Sequence, residues 1–220
     1  MQILEEMMGT STEVCQFIVS IDDVLVTISD MLESEEISPF AGGMLEAIVL
    51  CNECNSWVVG NAEAIFAVCV QLFESLQIRE VCCALTMLRW VFAKPNLEFG
   101  MDWITWFTDE DTRGRLNFAL RNAPSELGHL AESILQVLKV LLQVSEDVRR
   151  EYAGFLLNFT PEDFRNEETV SLYLQCICLL DTGTQISSNI RKFLADTQKT
   201  RESHGKALLE VVDQLIKKLE

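Results

Sequence analysis

The chain has 220 residues, of which 49% are apolar and 23% charged, and a formal net charge of −17. A chain of that length and apolar content buries a sizeable core by itself, which excludes wholesale disorder and any need for disulfide or metal staples. The negative charge also argues against a nucleic-acid partner, because phosphate contacts require Lys and Arg and a polyanion is repelled at long range.

Charge is distributed unevenly. From Met1 through Ile78 there is no Lys or Arg, yet thirteen Asp and Glu fall in that stretch; all seventeen basic residues come later, among twenty-one acidic ones. Apolar spacing predicts a first helix over about 12–32, opened by a capping box of Thr10 and Glu13 and broken near Ser20. Ser38-Pro39 reads as N-cap and N1 of a helix that runs over about 41–56. That helix ends in Cys51-x-x-Cys54, a spacing at which two thiolates can share a zinc ion. The adjacent pair Cys82-Cys83 points in different directions on a helix, however, and no His lies near in sequence. All eight cysteines are therefore expected as buried, reduced thiols, and no metal or cofactor is expected.

Helices follow over about 62–76 and 79–93, the second stopped by Pro95. Its run Val81–Phe92 carries Arg89 as its one charge, which predicts a central position. A short helix over 99–107 brings Trp103, Trp106 and Phe107 to one face at i, i+3 and i+4, either as a core wedge or as an exposed aromatic anchor. Helices over 112–121 and 126–143 come next, separated by Pro124. In the latter, Leu130, Ile134, Leu135, Leu138, Leu141 and Leu142 form a stripe widened by Val137, Val140 and Val144, broad enough to touch more than one neighbour. The pattern continues over 146–158, 167–180, 185–199 and 204–219, with Thr160-Pro161 as a further N-cap and N1. The last helix has one narrow apolar stripe and a charged back, as a terminal capping helix should. Nowhere does β-type alternation extend over six residues between turns. The class is all-α, with short loops that favour antiparallel neighbours.

Pairing these helices gives units of about 35–45 residues. The succession Asn61–Leu76, Arg79–Lys94, Ser125–Val144, Ser145–Phe159 and Asn166–Asp181 resembles degenerate α-solenoid repeats of the HEAT/armadillo class, over about 150 residues. The resemblance implies a single helical-repeat domain of roughly ten helices over 1–220, acidic over 1–78 and near-neutral over 79–220. It also implies a protein-binding scaffold. No consensus repeats at a fixed period, so a compact irregular bundle is the alternative fold.

No catalytic residue is expected. His129 and His204 open predicted helices without a nucleophile beside them, and the glycines form no phosphate loop. Arg149-Arg150 and Arg191-Lys192 read as solvated faces. The acidic residues are more suggestive: Asp23 and Asp30 lie seven apart, Asp22 and Glu33 eleven, Glu46 and Glu53 seven, Glu63 and Glu74 eleven, spacings that return to one side of a helix. A wet face normally mixes Lys with Glu at i, i+4, and no such pair is available there. The expected partner surface is Asp22, Asp23, Asp30, Glu33, Glu35, Glu36, Glu46, Glu53, Glu63 and Glu74, meeting a basic peptide or helix of another protein. The alternative is a helical regulator of another enzyme, such as a GTPase-activating or exchange domain, with Arg113 and Arg115 in an exposed loop as its candidates; a homodimer through the aromatic or acidic face is a third arrangement. With no basic leader and no apolar run near 18 residues, the expected location is the cytoplasm or nucleus, with no membrane contact.

Overall fold

Local hydrogen-bond chemistry sets the helix boundaries. Ser11 rather than Thr10 opens the second helix, its hydroxyl accepting from the Val14 amide while Glu13 accepts from the same hydroxyl. That helix stops at Ser20, as the sequence suggests. Three residues later Asp23 takes φ 58°, a left-handed conformation that Asp tolerates better than most side chains, and a new helix begins after it. The expected 12–32 helix is thus two helices.

The computed structural model of the chain describes residues 2–34, 36–75, 77–94, 100–122, 128–180, 186 and 188–219. Glu35, one of the expected surface residues, lies outside them. Among the described residues there are fourteen α-helices and no strand, so the all-α class holds. They separate into two compact units, 1–100 and 101–220.

The first unit contains α1 (Gln2–Thr10), α2 (Thr12–Val19), α3 (Val24–Leu32), α4 (Ser38–Leu50), α5 (Asn55–Gly60), α6 (Ala62–Glu74) and α7 (Ile78–Phe92). Helix α7 packs on α6 and α4, and α4 in turn carries α1 and α3. Leu45, Ile48, Ile65, Leu72, Leu85, Met87 and Leu88 are almost wholly buried between them, so α7 is as central as its apolar run predicts. Each such side chain contributes about 1.5–3 kcal/mol on burial. Helix α4 begins earlier than expected: Ile37 is its N-cap and Ser38 its first residue, and it ends at Leu50 before a 3-10 turn over Asn52–Cys54.

The second unit contains α8 (Met101–Thr108), α9 (Glu110–Asn122), α10 (Gly128–Val144), α11 (Glu146–Leu157), α12 (Glu167–Leu179), α13 (Ser188–Lys199) and α14 (Lys206–Leu219). Ser145 and Asn166 cap α11 and α12 through the Val148 and Thr169 amides. Thr160 and Asp163 form a capping box about Pro161, but it opens a 3-10 turn over Pro161–Asp163 rather than an α-helix. Helix α12 packs on α10, α11 and α14, and Tyr152, Tyr173, Leu138 and Leu215 are fully buried. Lys218 of α14 donates to the carbonyls of Cys178 and Leu180, closing the open end of α12. Among the described residues no single helix is long and apolar enough to cross a membrane.

Candidate protein-binding surface

Of the acidic residues singled out in the sequence, Asp22, Asp23, Asp30, Glu33, Glu36, Glu53, Glu63 and Glu74 are exposed. Their arrangement differs from a ridge on each helix. Glu63 and Glu74 do ride one helix, α6. The other three pairs straddle breaks: Asp22 and Asp23 lie before α3, and Glu53 lies in the 3-10 turn after α4 has ended. What groups the carboxylates is instead the ends of helices. Asp30 and Glu33 sit in and just beyond the last turn of α3, and Glu74 closes α6; neither helix has a basic residue in its last turn. Negative side chains beside the negative end of a helix dipole are unfavourable by a few tenths of a kcal/mol each, up to about 1.

Glu46 departs from the expectation of an exposed acid. It is half-buried in α4, and burial pushes its carboxyl above the usual range, against the opposing pull of a Cys83 hydrogen bond and the Arg79 charge. Arg79, the first basic residue of the chain, lies beside it. Its Nη2 is 2.6 Å from Glu5 Oε1, and its guanidinium stands 5.9 Å from the Phe40 ring centroid. Gly43 makes that approach feasible, since a Cβ there would fall 2.1 Å from Glu5 Oε1. Glu5, Phe40, Gly43, Glu46 and Arg79 line a cavity of about 400 Å³. The acidic unit therefore answers some of its own charge internally, through a contact 74 residues apart in sequence.

A second cavity, of about 380 Å³, opens where α3 and α6 end and α4 and α7 begin. Glu80 lines it. This side chain is buried, and its Oε1 accepts from Ser38 Oγ at 2.5 Å. Sequence reading passed over Glu80 because an acid in the first turn of a helix is ordinary; nothing local announces that Ser38, 42 residues earlier, meets it.

The cysteine expectation can be placed as well. Cys15, Cys51, Cys54, Cys69, Cys83 and Cys176 are buried, and Cys82 and Cys178 are half-buried. Cys15 comes from α2 to join Cys51 and Cys54. Burial, reinforced by Cys51, pushes Cys15 up to about 11 and Cys54 up to about 12. Such thiols are poor ligands and poor nucleophiles near neutral pH. Among the described residues no group of three His, Cys, Asp or Glu is arranged to hold a metal ion.

In the second unit, most of the aromatic face is core. Trp103 and Phe107 are 2% and 0% exposed, and Trp106, half-buried, meets the Phe107 ring edge-on at 4.7 Å. The helix packs on α9 and α11, so two of the three expected anchor residues are buried. Arg113 and Arg115 lie within α9 rather than in a loop, and Arg113 pairs with Glu151 at 3.0 Å. One constellation escaped sequence reading: His204 Nδ1 meets Glu167 Oε1 at 2.8 Å and its Nε2 meets Thr200 Oγ1 at 3.1 Å. This carboxylate–imidazole–hydroxyl chain resembles a nucleophilic triad in order only. The Thr200 hydroxyl also donates to the Asp196 carbonyl, 2.9 Å away and four residues back in the chain. Glu167 also accepts from the Gly205 amide at 2.9 Å, which makes the group a clasp between α12 and the start of α14.

Set against known protein-family models and against curated proteins, the chain matches none.

Proposed function

We propose that this chain is a non-enzymatic protein-interaction scaffold, a degenerate helical-repeat array of HEAT/armadillo type, whose acidic first unit receives a basic segment of another protein. One observation carries the reading: eight of the ten expected acidic residues are exposed, in a stretch of 78 residues without a Lys or Arg, with Asp30, Glu33 and Glu36 in and just beyond the last turn of α3. A Lys/Arg-rich segment would relieve their mutual repulsion and the opposed helix dipoles together. In favour of an array is the packing of alternate helices in the second unit, α10 on α12 and α12 on α14, with α11 and α13 each beside the next.

The test is the association rate of fluorescent Lys/Arg-rich helical peptides, with charge-reversed peptides as controls, on the full chain and on a variant with Asp22, Asp23, Asp30, Glu33 and Glu36 changed to Asn or Gln. Expected is binding of basic peptides alone, an association rate that falls at least about tenfold from low salt to about 0.5 M, and loss of that salt dependence in the variant. Equal rates for both peptide classes, or an unchanged salt slope in the variant, would overturn the reading.

A further inference from the structure

We propose that the cavity between the ends of α3, α4, α6 and α7 binds the guanidinium of an arginine side chain presented by the partner, with Glu80 as its counter-charge. This rests on the reading of the acidic unit as a receptor for a basic segment and names the residue type that enters it. The cavity, about 380 Å³, is lined by Leu32, Ser38, Gln71, Ser75, Gln77 and Glu80. That size lies within the range of ligand-holding clefts, about 300–1,000 Å³.

Glu80 is 4% exposed. Among the described residues, its side chain has a hydrogen bond from Ser38 Oγ, and no Lys or Arg lines the cavity. A carboxylate offers about four acceptor positions, of which Ser38 fills one. Arg79, its neighbour in sequence, is turned the other way, toward Glu5 and Phe40. The rim is acidic too: Glu33 and Glu36, both exposed, lie within two residues of the lining positions Leu32 and Ser38, while the negative ends of α3 and α6 are offset by the positive ends of α4 and α7, which begin here.

The lining distinguishes arginine from lysine. Besides Glu80, acceptors are available from the Gln71 and Gln77 amides and from the Ser75 hydroxyl, which already takes the Gln77 amide proton at 3.1 Å. Several acceptors around one cavity suit the five fixed donors of a guanidinium better than the compact, strongly hydrated ammonium. Leu32 and Leu72 supply apolar wall for the methylene stem.

The experiment is an NMR titration of the full ¹⁵N-labelled chain at low salt with N-acetyl-arginine methylamide, with the lysine and norleucine analogues alongside. Expected are saturable amide shifts confined to residues near 32, 38, 71–75 and 77–80, at least threefold weaker affinity for the lysine analogue and none for norleucine. Glu80→Gln, which keeps the shape and an acceptor for Ser38, should weaken arginine binding at least tenfold. Should that variant fail to fold, Gln71→Lys at the exposed rim tethers an ammonium at the mouth and should abolish the shifts in a folded protein. Absent shifts, or shifts centred on Asp22–Asp30 that persist in both variants, would overturn the proposal and leave the wider acidic surface as a receptor intact. Loss of basic-peptide binding with the pocket titration retained would count against the surface reading alone.

Discussion

Tyr152→Phe removes one oxygen atom from the centre of the second unit, and its cost can be worked out. Tyr152 is fully buried, and its hydroxyl donates to the Phe107 carbonyl at 2.7 Å, joining α11 to the last turn of α8. That carbonyl lies where a helix has no further amide to offer. The Asp111 amide, four residues on, is already donated to Asp109 Oδ2 at 2.9 Å. The variant therefore takes a buried donor away from this acceptor, at about 1–3 kcal/mol. With a urea dependence of about 2 kcal/mol per M, the midpoint for this unit should fall by about 0.5–1.5 M. Urea titration by circular dichroism reads the fall, and hydrogen exchange with mass spectrometry locates it: α8 and α11 should lose protection while α4–α7 keep theirs. A midpoint shift below about 0.2 M, or equal loss of protection in both units, would refute this account of Phe107.

Glu46→Gln tests a titration. Because burial raises the folded-state pKa of Glu46, the folded chain binds this proton more tightly than the unfolded one, so stability is lost as pH rises from about 4.5 through the raised value. The variant should be more stable than wild type at pH 7 and indistinguishable from it near pH 4, and denaturant midpoints across that window will show it. Glu167 and Asp213 act with the opposite sign: their carboxyls are held low by His204 and Arg201, so their contribution is present above the usual carboxylate range and disappears as pH falls through the lowered values. His204→Ala should remove part of that acid-side slope, measured by the same midpoints between pH 5 and pH 3. Gly43→Ala displaces the Glu5 carboxylate from Arg79 yet adds a better helix former inside α4. With about 0–1 kcal/mol lost from a solvent-accessible ion pair and about 1 kcal/mol gained in propensity, thermal melting should find it within about 1 kcal/mol of neutral. Thiol titration of the native chain with an aromatic disulfide at pH 8 should find Cys82 and Cys178 first, with all eight released after denaturation.

Helix content and most boundaries were legible because they rest on local chemistry. Ser145, Asn166 and Thr160 each cap the helical turn that begins after them, and the stripe of α10 is buried as its spacing requires. Helix α1 was missed because it has neither a cap nor a long period to announce it. The break after Ser20 was visible, but the left-handed Asp23 before the next helix was not, since Asp adopts that conformation only in context. Of the expected surface acids that the structure describes, all but Glu46 are exposed, and its half-burial is decided by α7. The contacts that shape the two cavities, Glu5 with Arg79 and Ser38 with Glu80, join residues 74 and 42 positions apart. Periodicity measures which side of a helix is wet; it carries no information about which distant helix will lie beside it.

The absence of cations before α7 also decides how the first unit meets the chemistry of other proteins. Trypsin cuts after Lys or Arg, so no bond from Met1 to Ile78 is open to it, and the first candidate bond follows Arg79. The first lysine is Lys94, whose ammonium is held by Asn55 beside the Trp90 ring. Lysine-directed ubiquitin, acetyl groups and amine cross-linkers thus find no side-chain acceptor on α1–α6. A cell that marks this protein through lysine must do so almost entirely on the second unit, leaving the acidic surface chemically unaltered while the fate of the whole chain is decided elsewhere.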